Sequence, residues 1–256
     1  MKQLVGFILS SIAVVAGAAP ATPEAPRVVQ LVDSDPAATK SFDQDVAGGA
    51  HLMRYSFNVM GAKGVGLSEL EGPLFTIGSP DESAEIFYVY SGTATITQAN
   101  GRDLPVKKGD IVFVPRGVAY GGKDFVHYKH AYIVFDRGKE PVADSPSEMT
   151  LLRPRELTEK DFQTEGAAKR HYYYRGADGS SVRVWEAATS SAESGHQQTL
   201  PWSEYSIVVR GSVKLTSGGT SWTAHAGDAF FAPKGTVLSY ESHDLRKLTV
   251  VSDVQP

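Results

Sequence analysis

The chain has 256 residues and a formal net charge of −4 at neutral pH. A chain of this length accommodates two small domains, and its 41% hydrophobic and 21% charged residues are typical of a soluble globular protein. The negative balance and the scattered basic residues argue against nucleic acid or an anionic membrane as a partner. Because the sequence contains no cysteine, hydrophobic cores rather than disulfides have to stabilise the fold.

The N-terminus has the pattern of a secretory signal peptide. Lys2 supplies a positive charge, and residues 4–17 form an apolar run shorter than the ~20 residues that a bilayer-spanning helix needs. Small residues around Ala18 to Ala21 offer cleavage sites. We therefore expect residues 1–20 to be a signal peptide and the mature chain to be secreted or in the secretory pathway. An uncleaved membrane anchor is the alternative.

The next part of the chain, residues 27–136, is predicted to be a first β-domain. Residues 27–31 predict an edge strand, either on this domain or exchanged onto the other, and the polar, Gly- and Ala-rich residues 33–49 predict a loop. Alternating patterns predict further strands at 51–59, 66–71, 93–98, 103–106 and 127–135.

Two stretches with regular spacing mark the centre of this half. Glu85 begins an apolar strand that ends at Gly92 after six intervening residues. Gly109 begins a second strand, which ends in Pro-x-Gly at 115–117 and is followed by Tyr120.

The same spacing recurs in the second half of the chain. Glu204 and Gly211 repeat the first stretch, and Gly227 with Pro-x-Gly at 233–235 repeats the second, each 118 or 119 residues after its counterpart. A period held over several anchor residues indicates a duplicated domain. Residues 137–166 are richer in charged residues and proline and are predicted to be a linker, which leaves 167–256 for the second domain.

Alternation along the two glutamate strands predicts two different faces in each domain. The glutamate faces carry Glu85, Phe87 and Val89 in the first strand and Glu204, Ser206, Val208 and Arg210 in the second; the opposite faces carry Ile86, Tyr88, Tyr90, Tyr205, Ile207 and Val209.

These spacings resemble the two sequence motifs of the cupin superfamily. One motif ends in Glu, six residues and Gly; the other runs from Gly through Pro-x-Gly to a histidine. Val-Trp-Glu at 184–186 and Pro-Trp-Ser-Glu at 201–204 are similar to the ethanolamine-utilisation branch of the superfamily. The resemblance implies an all-β fold of two tandem cupin barrels, that is, two double-stranded β-helix or jelly-roll domains. In cupins the motif glutamate points into the barrel, so the resemblance also implies that the glutamate faces are inward and the opposite faces outward. The outward faces are so apolar that they need a cover, which we expect to be the other domain or a second subunit in a homodimer.

The resemblance also bears on metal binding. Cupin metals usually take three histidines together with the motif glutamate, and imidazole is a common neutral metal ligand. The His-x-His pair is missing near residues 79–81, and Tyr120 and Leu238 stand where the family has its last histidine. We therefore expect no metal and no other cofactor. The alternative is a divalent ion held weakly by Glu85 with Tyr120 and Asp81.

A carboxylate inside an apolar barrel suggests acid–base chemistry. Burial raises a carboxyl pKa, which suits proton transfer near neutral pH. Glu85, Tyr120 and His130 are therefore the candidate catalytic residues, provided that the face shared by His130 and Tyr132 points inward. A structural pair left over from a metal-binding ancestor is the alternative. Candidate substrate-binding residues are Asp81, Phe87, Tyr132, Glu204, Trp185 and Trp202.

The function expected from these residues is that of a metal-independent isomerase, lyase or cyclase acting on a small natural product or sugar. Metal-free sugar epimerases of the cupin superfamily provide the analogy. A non-catalytic bicupin that binds a small molecule or is purely structural is the alternative. A metal-dependent decarboxylase or dioxygenase is a weaker alternative, because the motif histidines are missing. The expected partner is a small molecule, with neither nucleic acid nor membrane.

Overall fold

The structure, a computed structural model, describes residues 25–30, 35, 38–57, 65–76, 78, 83–135, 147–165, 168–175, 181–187 and 197–252. The predicted signal peptide and Asp81 lie outside these residues. Within the described ranges there is no helix long and apolar enough to cross a membrane.

Almost all regular structure in the described residues is β. The exceptions are two single-turn 3₁₀ helices, Pro154–Glu156 and Glu159–Asp161. The first nine strands are β1 (Arg27–Gln30), β2 (Ala38–Asp45), β3 (His51–Phe57), β4 (Val65–Phe75), β5 (Ala84–Gln98), β6 (Asp103–Lys107), β7 (Ile111–Val114), β8 (Tyr120–Phe135) and β9 (Thr150–Leu152). The other eight are β10 (Gln163–Glu165), β11 (Ala168–Arg175), β12 (Ser181–Ala187), β13 (Gln198–Thr199), β14 (Ser203–Ser217), β15 (Thr220–His225), β16 (Asp228–Ala232) and β17 (Val237–Ser252).

The described strands form two antiparallel sheets, one for each half of the chain. The first has the order β2-β3-β4-β8-β5-β7-β9, with β6 on β5. The second has the order β1-β16-β14-β17-β12-β11-β10, with β15 on β14 and β13 on β17. Each sheet folds into a jelly-roll barrel, so the predicted fold of two tandem barrels is confirmed. The loop expected at residues 33–49 is wrong in part, because β2 pairs along its length with β3.

The two halves exchange strands. β1 pairs with β16 of the second sheet, and β9, which lies within the segment predicted to be a linker, pairs with β7 of the first sheet. Residues just after β9 also dock on the first barrel, where Arg155 Nη1 lies 2.5 Å from Oδ1 of the buried Asp110. Of the two placements considered for residues 27–31, the exchange is the one that the structure shows.

The outward faces of the two barrels pack against each other. Ile86 and Ile207 are 0% and 1% exposed, and Tyr90 Oη donates a hydrogen bond of 2.6 Å to the carbonyl oxygen of Gly227 in the other barrel. The expected cover is therefore the other barrel of the same chain, and these faces, already buried, are not available to a second subunit of a homodimer. The shared cluster includes Tyr88, Phe113 and Ile133 from the first sheet and Tyr205, Phe231 and Val250 from the second.

The strand ends expected at Gly92 and Gly211 are wrong, because β5 and β14 continue through these glycines to Gln98 and Ser217. Both glycines are instead required by a close backbone approach. Gly92 and Gly211 have φ angles of +69° and +73°, a region that side chains disfavour. A Cβ atom on Gly211 would lie 2.2 Å from the carbonyl oxygen of Asp244, and one on Gly92 would lie 2.2 Å from that of Val126. The spacing found in the sequence therefore marks the point where the long strand bends past its neighbour.

Replacing Gly211 with alanine tests this account, with Gly219→Ala as the matched control. Gly219 has a similar φ of +82°, but a Cβ atom added there would have no atom within 4 Å. Gly219→Ala should cost only the ~1–2 kcal/mol of a left-handed alanine. Gly211→Ala should cost about 3 kcal/mol or more, because backbone atoms also have to move. Urea denaturation followed by circular dichroism measures both, and equal losses would contradict the proposed steric cause.

Candidate functional site

Glu85 and Tyr120 meet inside the first barrel, as predicted. Glu85 lies near the start of β5, and Tyr120 begins β8 directly after the Pro-x-Gly turn. Tyr120 Oη donates a hydrogen bond of 2.7 Å to Glu85 Oε2, and the Tyr120 ring packs 5.8 Å from that of Phe87. Burial, followed by the charge of Glu85, raises the pKa of Tyr120 well above its usual value. The phenol therefore remains a hydrogen-bond donor across the physiological range.

His130 also faces the interior of the first barrel. Its ring lies 4.8 Å from that of Phe87 and 5.2 Å from that of Tyr128, and the residue is 8% exposed. Burial, followed by the positive charge of Arg54, lowers the pKa of His130 to about 3. The histidine expected to titrate beside Glu85 is thus close to the site but uncharged at neutral pH.

Arg54 is a member of this interior that the sequence did not reveal. It lies opposite Ser68 in the strand register, and Ser68 lies opposite His130, so the three form one row across the sheet. The Arg54 guanidinium carbon lies 5.2 Å from the centre of the Tyr132 ring. The first barrel therefore contains a fixed positive charge in addition to the predicted carboxylate.

Several polar atoms of this interior are buried without a hydrogen-bond partner in the protein. They are Ser68 Oγ, Tyr128 Oη, His130 Nδ1 and Arg54 Nε. Buried polar atoms in native proteins almost always have a partner, so a group of orphans in one interior points to polar atoms supplied from outside the chain. Strand alternation alone would have placed Tyr128 on the face of His130, whereas Ser68 could be found only from the register that sets it opposite His130.

The interior of the second barrel is built around Glu204. This residue is 6% exposed and accepts hydrogen bonds from Ser206 Oγ at 2.8 Å and from Tyr240 Oη at 3.0 Å. Lys247, which is 4% exposed, donates to Glu204 Oε1 and completes a buried ion pair. Leu238, which has the place of Tyr120 after the second Pro-x-Gly turn, is apolar, so the polar partners of Glu204 come from other positions.

The ion pair influences both of its members. Burial alone would raise the pKa of Glu204, but the charges of Lys247 and Arg183 outweigh burial and lower it. Burial also lowers the pKa of Lys247, while Glu204 opposes this change. The lowered pKa of Glu204 means that the carboxylate is ionised and that Lys247 is its counter-ion.

Lys247 occupies the place in the second barrel that His130 occupies in the first. His130 lies opposite Val89, and Lys247 lies opposite Val208, which follows Val89 by the same offset that separates the two motif glutamates. Lys247 follows His130 by 117 residues, one or two fewer than the repeat period, so strand register and not the period identifies it.

A cavity of about 190 Å³ adjoins this ion pair. Trp202 and Glu204 line it, as expected for substrate-binding residues, and so do Arg170 and Arg183. The side chain of Trp185 lies outside what the structure describes. Arg210, expected to face inward, is instead exposed beside Asp244, because a register shift after Val208 turns the strand.

The residues of these interiors do not match the three-histidine metal site of the resembling family. Among the described residues, no three His, Asp or Glu side chains are grouped so that they could hold a metal ion. In the second barrel the carboxylate of Glu204 is neutralised by Lys247, and Arg183 adds further positive charge that repels a cation. In the first barrel Glu85 accepts a hydrogen bond from the phenol of Tyr120, and Arg54 supplies positive charge nearby.

Comparison with known families matches both halves of the chain. A cupin domain model matches residues 78–123, and an EutQ-like cupin domain model matches residues 177–254. Each match contains one glutamate strand and the Pro-x-Gly turn that follows it. The second match is to the branch indicated by the tryptophan-containing segments. No curated protein matches the chain at a significant level.

Solved structures with similar folds cover most of the chain. Protein Ylba from E. coli has a TM-score of 0.64 at 12% identity, over 93% of this chain and 96% of its own. A Pseudomonas syringae protein of unknown function from the DUF861 family has a TM-score of 0.59 at 16% identity, over 89% and 100%. A variant of Bacillus subtilis oxalate decarboxylase has a TM-score of 0.55 at 11% identity, over 92% and 79%. At these identities the likeness concerns the fold.

The buried, neutral His130 predicts how stability depends on pH. Its folded pKa of about 3 lies below the ordinary value of 6.5, so below pH 6.5 the unfolded chain binds a proton that the folded chain does not. The free energy of unfolding should therefore fall as pH is lowered from 6.5 toward 3, by up to ~1.4 kcal/mol per pH unit from this residue.

Urea denaturation at several pH values, on wild type and His130→Phe, measures this contribution. The variant should show a shallower loss of stability between pH 6 and pH 4. His225→Gln is the control, because the His225 side chain is 69% exposed. Parallel stability curves for wild type and His130→Phe would show that the histidine is not held neutral.

The ion pair between Glu204 and Lys247 yields a second prediction. Lys247→Met should destabilise the protein by about 3–5 kcal/mol because it leaves a buried carboxylate without its counter-ion. The double variant Glu204→Leu/Lys247→Met should be more stable than Lys247→Met alone. Lys214→Met, which removes an exposed partner of Glu241, should cost less than about 1 kcal/mol. Additive losses in the double variant, measured by urea denaturation, would argue against a coupled pair.

Proposed function

The chain belongs to the cupin superfamily and carries two cupin domains in tandem, and we propose that its first barrel is the active site of a metal-independent isomerase, lyase or cyclase. The observation that carries this proposal is the hydrogen bond of 2.7 Å between Tyr120 and Glu85 inside the barrel. A carboxylate and a phenol in contact, in an interior that also contains the half-buried cation Arg54, form an acid–base pair with an anion-stabilising group.

In this proposal Glu85 is the base. It removes a proton from the substrate and returns it to a neighbouring atom in an isomerisation, or to the leaving group in an elimination. Tyr120, whose raised pKa keeps it protonated, turns its hydrogen bond from Glu85 to a substrate oxygen. The positive charge of Arg54 then stabilises the negative charge that develops on that oxygen.

His130 has a supporting part in this reaction. With a pKa of about 3 it carries no charge at neutral pH, so it does not act as a cationic acid. Its unpaired Nδ1 instead forms a hydrogen bond with the substrate, and Phe87 and Tyr132 bound the same space. The proposed substrate is a small organic molecule, such as a sugar or another natural product, with at least one oxygen next to the carbon that loses its proton.

The reaction proposed here requires no metal or other cofactor. The proton is held by Glu85, and the developing charge is neutralised by Tyr120 and Arg54, so each role has a residue of the chain assigned to it. We also propose that the protein is secreted, which rests on the charged and apolar pattern of residues 1–20.

A non-catalytic binding function is the second candidate. The orphaned polar atoms of Ser68, Tyr128 and His130 favour it, because a bound molecule would satisfy them whether or not it reacts. The two candidates differ in what Glu85 does: in a binding protein it only accepts hydrogen bonds, whereas in the enzyme it gains and loses a proton.

Hydrogen exchange in heavy water tests the catalytic proposal. A panel of small aldoses, ketoses and oxo acids is incubated with the full chain in D₂O, and ¹H NMR follows the loss of C–H signals and the appearance of products. For any compound that reacts, Glu85→Gln should lower the rate by about 100- to 10,000-fold, because the base is lost. Tyr120→Phe should lower the rate by about 100-fold while ligand binding is largely kept.

Two control variants match these changes chemically. Tyr88→Phe removes a phenol from the outward face of the same strand, and Glu69→Gln removes a carboxylate that pairs with Lys129 away from the interior. Both should react at the wild-type rate. Turnover that survives Glu85→Gln unchanged would refute the proposed base, and compounds that bind without exchange would establish the binding function instead.

A further inference from the structure

The second barrel contains a cavity that plays no part in the reaction proposed for the first barrel. It adjoins the buried pair of Glu204 and Lys247 and has a volume of about 190 Å³, roughly the space of six water molecules. Gln198 and Pro201 belong to its lining and are exposed, so the cavity opens to solvent beside β13. It is therefore large enough and accessible enough for a small ligand.

Positive charge exceeds negative charge in this cavity. Arg170, Arg183 and Lys247 line it, whereas Glu204 is the one acidic residue of that lining within the described chain. Glu204 is already neutralised by Lys247 and hydrogen-bonded by Ser206. The lining as a whole therefore carries a net positive charge. In a partly buried site such an excess favours an anion.

Arg183 provides the clearest geometric indication. Its Nε is buried and has no hydrogen-bond partner in the protein, and its nearest polar contact is a long one of 3.5 Å between Nη1 and Tyr172 Oη. Its guanidinium carbon also lies 5.8 Å from the centre of the Tyr172 ring, which supports the side chain from one side. A guanidinium held in place with an unused donor is suited to the oxygens of a carboxylate.

The remaining lining is apolar. Leu200, Trp202 and Val251 contribute to the cavity wall together with the ring of Tyr240. A ligand that satisfies both parts of the wall has an anionic head and a small apolar body. Sulfate and phosphate satisfy only the charged part.

We propose that the second barrel binds a small organic carboxylate, with the carboxylate on Arg183 and Arg170 and its apolar body against Trp202 and Leu200. This site is separate from the acid–base site of the first barrel and does not depend on the reaction proposed there. The Glu204–Lys247 pair forms part of the cavity wall. Because Lys247 is already paired with Glu204, the carboxylate of the ligand is assigned to the two arginines.

Calorimetric titration of the full chain with benzoate tests this proposal. Benzoate should bind with a Kd in the micromolar to low millimolar range, and benzamide, its uncharged isostere, at least ten-fold more weakly. Arg183→Met should weaken benzoate binding by about ten-fold or more because the unpaired donor is lost. Arg210→Met, which removes an exposed arginine elsewhere in the same barrel, should leave binding unchanged.

The outcomes separate the proposal from its alternatives. Absence of benzoate binding, or equal affinity for benzoate and benzamide, would overturn it. Sulfate binding as tightly as benzoate would show a general anion site and would overturn the apolar part of the assignment. If Arg183→Met does not fold, the comparison of benzoate with benzamide on the wild-type protein decides alone. Loss of Glu85-dependent exchange in the first barrel does not bear on any of these results.

Discussion

The contact between the outward faces of the two barrels is the constraint on which the rest of the molecule depends. A jelly-roll barrel can turn its polar side chains inward only if the apolar residues on the other side of the same strands are covered. Ile86 and Ile207 follow inward-facing residues of the glutamate strands and are fully buried between the barrels. Because the chain has no cysteines, this shared core and the exchanged strands β1 and β9 hold the two halves together.

With their outer faces fixed in this way, the two interiors provide their glutamates with different partners. The first barrel gives Glu85 a neutral donor, Tyr120, and keeps its nearby histidine uncharged. The second gives Glu204 a full counter-ion, Lys247. The counter-ion stabilises the ionised form of Glu204, whereas Tyr120 supplies Glu85 with the hydrogen-bond donor that the proposed reaction uses. This difference is the reason for assigning proton transfer to the first barrel and binding to the second.

The sequence predicted what depends on spacing along the chain and not what depends on pairing between strands. The motif spacing identified the two barrels and the meeting of Glu85 with Tyr120, whereas the strand ends expected at Gly92 and Gly211 are bends within β5 and β14. Arg54 and Lys247 were missed because strand alternation assigns a face but does not say which residue lies opposite until the register is known. The outward position of Arg210 was missed for the same reason, because it follows from a register shift after Val208.

The sizes of the side chains that face each other on neighbouring strands influence what each interior can contain. In the first barrel Tyr132 lies opposite Gly66, where a Cβ atom would come within 2.2 Å of the tyrosine ring, so this pair leaves room for the ring and for no side chain beside it. At the corresponding place in the second barrel Thr249 lies opposite Arg183, so here the larger side chain of the pair belongs to the other strand. A large aromatic residue in the first barrel therefore corresponds to a large cationic residue on the facing strand in the second, and this residue, Arg183, lines the cavity there. Because none of these four residues belongs to the cluster that the two barrels share, the duplicated fold can hold two different sites without altering the core between them.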